Sequence, residues 1–113
     1  MFFKEKKIKD KKHLRFIASL PCLICGIIGR TQAAHIRTGN GAGAAHKSGD
    51  DCTLPLCCSN IGTEGCHERQ GKGEHLFWFK YGGAKAATEL AKKLYENTGD
   101  RAKCIGLMIR FKQ

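Results

Sequence analysis

Apolar positions along the chain change period several times, and each change predicts an element. In "HLRFIASL" (13–20), Leu14, Ile17 and Leu20 recur at helical spacing, joined by Phe16 and Ala18, and Pro21 stops the run, so a short helix is expected. "TQAAHI" (31–36) and "CTLPLC" (52–57) are short enough for the two strands of a hairpin, with Pro55 marking an edge. Between them "RTGNGAGAAHKSGD" (37–50) has four glycines and no apolar period, and reads as a long loop of the kind that more often carries function than not. "GEHLFWFKYGG" (73–83) is a short amphipathic segment closed by two glycines. The clearest helix is 84–99, where Ala84, Ala87, Leu90, Ala91 and Leu94 form one stripe, lysines fill the other face and Gly99 is placed to end it. "KCIGLMIRF" (103–111) is an apolar closing segment, helix or strand. The order of elements, a hairpin followed by helices, predicts an α+β fold. There is no internal repeat and no linker, so residues 13–113 are read as one domain preceded by a lysine-rich arm, residues 1–12, that is mobile or ordered only on a partner.

With 113 residues, 14 of them glycine and few aromatic, the chain has a marginal core, the situation in which a structural metal supplements packing. Cysteine supplies the ligands. Cys22 and Cys25 are spaced C-x2-C in the knuckle "PCLICG", a spacing that brings both thiolates to one ion from a single turn of backbone. A second pair comes from Cys57, at the end of the expected second strand, and Cys66, just before the expected helix. Cys22, Cys25, Cys57 and Cys66 are therefore the expected ligands of a structural Zn2+. Cys58 is an alternative to its neighbour Cys57, and His67 an alternative to Cys66. Cys52 and Cys104 have no paired spacing and read as core residues. Seven cysteines, an odd count, argue against a disulfide framework. The N-terminus has charges where a signal peptide needs an apolar core, and no apolar run approaches the roughly 20 residues that span a bilayer. The expected setting is a reducing cytoplasm, with no membrane association.

Twenty Lys and Arg against ten acidic residues give a net charge of +10, an electrostatic footprint that suits DNA as the partner. Arg37, Lys47 and Arg69 are candidate phosphate contacts. A closed four-thiolate site has no open position for water, so any chemistry must come from other side chains. The histidines are the candidates, His35 on the first strand and His67 at the start of the helix. His13, His46 and His75 read as surface residues, with His46 of interest in the glycine loop.

The run "HLRFIASLPCLICG … QAAHIR … GAG … GDDCTLPLC … CHERQGKGEHLFW" resembles the phage and prophage HNH-type proteins of the recombination-enhancement-nuclease kind, over about residues 13–99. The resemblance implies a ββα-metal (HNH-like) core supported by zinc and flanked by helices, in a metal-dependent DNA endonuclease of phage DNA recombination or processing, acting in the cytoplasm of a bacterial host. It implies His35 as the general base that activates water, and His67 as a ligand of a catalytic divalent ion, Mg2+ or Mn2+, or a contact to the scissile phosphate. It also suggests a recombinase or other DNA-processing protein as a partner. Many such proteins have an acidic residue or second histidine before the base, where this chain has Ala34, and a further histidine one turn after the helix-start histidine, where it has Gly71. Asp50 or Asp51 would then orient His35 or reach the metal, and Glu68 or His46 would help complete the ion's ligand set. The alternative function is a zinc-containing DNA-binding module without catalysis. A third is an adaptor that binds a host protein through "LFWF" (76–79).

Overall fold

The computed structural model of the chain describes residues 9–36, 49–59 and 62–113. The arm's first eight residues and most of the glycine loop, with Arg37, His46 and Lys47, lie outside them. The described residues form a small mixed α+β domain: a two-stranded antiparallel sheet with helices before and after it.

Helix α1 (Lys11–Ala18) starts two residues earlier than expected, because Asp10 caps it by accepting a hydrogen bond from the His13 N–H. Strand β1 (Thr31–His35) pairs with β2 (Thr53–Cys57) in the register Thr31↔Cys57 through His35↔Thr53. Pro55 breaks no ladder bond. Its carbonyl points away from β1 and accepts from the Leu23 N–H of the knuckle at 2.8 Å, so the missing N–H also faces away from β1. The sheet face bearing Ala34, Ile36, Leu54 and Leu56 is fully buried against α1 and α4 (Gly83–Glu96). The expected α4 stripe is the buried one, with Lys85, Lys92 and Lys93 exposed. Asn97 caps this helix, so Gly99 lies two residues past its cap rather than closing it.

Two short helices, α2 (Cys66–Lys72) and α3 (Glu74–Phe79), connect the hairpin to α4. The closing segment is a helix, α5 (Arg101–Phe111), and Asp100 caps it by accepting from the Lys103 N–H. Trp78 of α3 is fully buried and meets Phe77, Tyr81 and Phe111 edge-to-face. Cys52 and Cys104 are core residues, as expected. His13 is not a surface residue. It is fully buried, with its ring edge-on to Tyr95 and Nδ1 2.7 Å from Thr98 Oγ1. Among the described residues, no helix is long and apolar enough to cross a membrane.

Candidate metal centre and histidine cleft

The knuckle at 22–26 is shaped by its backbone. The Gly26 N–H donates to the Cys22 carbonyl and the Cys22 N–H to the Ile27 carbonyl, both at 2.9 Å. Gly26 turns the chain at φ 77°, a left-handed conformation open to a residue without Cβ. Cys22 and Cys25 thereby face the outer edge of β2. Cys57 presents its sulfur on that side, and Cys66, first residue of α2, completes the group. The four sulfurs all lie within 4.8 Å of one another. A tetrahedral Zn2+ with bonds of about 2.3 Å needs sulfurs about 3.8 Å apart. The Cys25 and Cys57 sulfurs are 3.5 Å apart, and the Cys66 N–H points at the Cys57 sulfur from 3.4 Å. The group can hold a metal ion, and its donor set suits zinc. Cys58 and His67 are outside it, so the structure selects Cys57 and Cys66 from the sequence alternatives.

Backbone N–H groups pointing at sulfur are what a bound thiolate requires. Burial alone would push the Cys22 thiol up, but the N–H groups of Cys25, Cys57 and Ile24 outweigh it and bring it down to about 7. Burial and then the charge on Cys22 push the Cys66 thiol up. A divalent cation at the centre removes this mutual repulsion.

Beside α2 lies an open cleft of about 360 Å³, lined by Ala33, His35, His67, Glu68, Gln70, Gly71 and Glu74. The two histidines singled out from sequence, 32 positions apart, thus share one cavity. His35 Nε2 is 3.0 Å from Asp50 Oδ1, and the other carboxylate oxygen accepts the Asp10 N–H at 2.8 Å. Burial acts to raise the Asp50 carboxyl, but the bonds from His35 and from the Asp10 N–H, with the charges of His35 and His13, leave it lowered. An ionised carboxylate only accepts, so the imidazole proton sits on Nε2 and the lone pair on Nδ1. The exposure of the two side chains, 36% for His35 against 15% for Asp50, leaves the ring reachable and its carboxylate shielded. Asp51 follows in the same turn and acts by charge on Cys52 and His13.

His67 Nδ1 is 2.8 Å from Gln32 Oε1. With that oxygen accepting, Nε2 of His67 carries the lone pair. The Ser59 hydroxyl donates to Glu68 and, foremost among its causes, holds that carboxyl below its ordinary value. Gln70 accepts from the buried Trp78 indole N–H, fixing that wall. Arg69 is exposed on α2. Ala34 is fully buried on the opposite face of β1, so a ligand one residue before His35 would point into the core rather than the cleft. Sequence reasoning missed Glu74, Gln32 and Asp10. Only Glu74 had a signal, an acid opening a helix just after two glycines.

No curated protein and no solved structure matches the chain. A family model does match, over residues 2–94, and the chain belongs to that family, DUF968, described as a protein of unknown function.

Proposed function

We propose that the protein is a metal-dependent DNA endonuclease with an HNH-like ββα core, held together by a structural zinc. The observation that carries the reading is the convergence of His35, polarised by Asp50, and His67 on one open cleft. Hydrolysis of a phosphodiester forms a P–O bond to water and breaks one to the leaving oxygen. His35 Nδ1 takes the proton of the attacking water, and Asp50 stabilises the imidazolium that results. His67 Nε2 offers one nitrogen donor toward a divalent ion such as Mg2+ or Mn2+, and Glu68 and Glu74 line the same cleft, so the remaining ligands would come from water or from the DNA phosphates. Such an ion, when bound, supplies charge neutralisation at the phosphate and the departing oxygen. Exposed Arg69, on the same helix as His67, provides a cation for a flanking phosphate.

A plasmid-nicking assay with Mg2+ or Mn2+ tests this. Wild type converts supercoiled plasmid to nicked or linear forms, while His35→Ala does not, at unchanged zinc content and fold. Equal cleavage by both proteins removes His35 from the mechanism. The second reading, a DNA-binding module without catalysis, draws on Gly71, which leaves that wall of the cleft without a further imidazole. Tight DNA binding with no cleavage under either ion would select it.

A further inference from the structure

Two of the five large apolar side chains exposed among the described residues lie together on α3: Leu76, 84% exposed, and Phe79, 78% exposed. Three residues apart, they share one face of the helix. That face cannot turn inward. Trp78, the residue between them and the core, is fully buried and bound through its indole N–H to Gln70. The same helix begins at Glu74, in the wall of the histidine cleft. Exposed His75 and Lys80 flank the apolar pair, on a chain with 20 Lys and Arg against 10 acids.

We infer that Leu76 and Phe79 dock unpaired nucleobases of the strand whose phosphate enters the cleft, with Phe79 stacking on a base and Leu76 packing beside it. The inference rests on the DNA reading above and gives it a substrate class, DNA with unstacked or single-stranded bases at the cut. Area favours this occupant over a second protein. One aromatic side chain buries at most about 250 Å². Together with one leucine it falls well short of the roughly 800 Å² per partner of a stable protein interface. A nucleobase needs only one ring face, and cationic surroundings fit the phosphates that follow it. Reach agrees as well. The five residues from Glu74 to Phe79 advance about 7.5 Å along a helix, within reach of a base on the strand whose phosphate lies in the cleft.

The test is fluorescence anisotropy of a labelled single-stranded oligonucleotide and of a duplex of the same sequence, without added divalent cation, across a salt series. Phe79→Ala is expected to weaken single-strand binding about five-fold or more, with less effect on the duplex and no change in the salt slope. Leu76→Ala should act in the same direction. Phe79→Trp should retain affinity, and its exposed indole should be quenched by the oligonucleotide. Arg69→Gln is the contrast, lowering the slope by about 0.7. Unchanged binding by both alanine variants overturns the inference, as does equal weakening on both DNAs. A dimer in light scattering that Phe79→Ala dissolves also overturns it, in favour of a second copy. Absence of all DNA binding defeats the functional reading together with this one. A Phe79 effect without any plasmid cleavage defeats only the enzymatic part.

Discussion

Gly65→Ala should unfasten the metal centre although Gly65 is not a ligand. Gly65 is the N-cap of α2, at φ −80° and ψ 164°, extended backbone that any residue adopts, so conformation does not require glycine here. Space does. A Cβ would stand 2.3 Å from the Cys58 carbonyl carbon, 2.5 Å from the Cys57 oxygen and 2.6 Å from the Cys58 oxygen. All three are backbone atoms, so no rotamer change relieves the clash. Contact at about 3.5 Å is normal, so β2 and α2 must separate by about 1 Å. The separation pulls Cys57 from Cys66 and breaks the N–H bond to the Cys57 sulfur. Overpacking typically costs 1–3 kcal/mol, and a hydrogen bond to a charged group about 1.5–3 kcal/mol. A total near 3 kcal/mol lowers the melting temperature of a domain of this size by about 12 °C. The assay is thermal melting of purified protein with metal content measured under increasing chelator, and Gly71→Ala, at a position open to a methyl group, is the control. If Gly65→Ala melts within about 2 °C of wild type and keeps its metal at the same chelator concentration, the reasoning about this close approach fails.

Cys57→Ser should lose the metal while Cys58→Ser keeps it, since only the Cys57 sulfur belongs to the cluster; metal released on thiol titration, compared between the variants, decides this. Chelation of the wild type should likewise reduce its unfolding to a broad, low-temperature transition. Buried His13 should make the fold sensitive to mild acid. Thr98 Oγ1 donates to the Tyr95 carbonyl and so accepts from His13 Nδ1–H, leaving Nε2 buried and without a partner among the described residues. Burial lowers the His13 pKa, more than the charges of Asp10, Asp50 and Asp51 raise it. The unfolded chain then binds the proton more readily, so this group's stability is complete above about pH 6.5 and is lost as pH falls below it. Chemical denaturation at pH 7 and pH 5.5 should show this loss in wild type, and His13→Leu should lessen it; equal loss in both would refute the assignment.

What could be read from the sequence was local. The α4 stripe, the two strands and the knuckle follow from periods and spacings within a dozen residues, and the buried positions match them. The four sulfurs were legible as a set, but Cys57 and Cys58 were not separable by spacing, because they are adjacent in the chain. Pro55 held the clue. Its missing N–H suits the outward edge, and Cys57, two residues on, shares that edge with the knuckle. His13 reads as a surface residue in isolation, yet His13, Ile17 and Leu20 recur at i, i+4 and i+7, the spacing of one buried helix face. The bond from the Asp10 N–H to Asp50 joins residues 40 positions apart through a backbone donor, and no side-chain pattern announces it.

The cleft is fastened from two directions, and this explains how so small a core can hold two imbalanced elements in register. Cys66 and His67 are consecutive in α2, about 100° apart around its axis, so the turn that sends one sulfur to the cluster sends the next side chain to an adjacent face, into the cleft. The thiolates thus set the orientation of His67 without touching it. On β1, His35 is set by Asp50, whose second oxygen is held by the cap of α1, and α1 is itself anchored through buried His13 and Ile17. One imidazole depends on the four-cysteine cluster and the other on a helix cap. A small domain that must keep two groups aligned across a hairpin gains more from such direct fastenings than from a larger core, since each fixes an orientation that apolar packing alone leaves free.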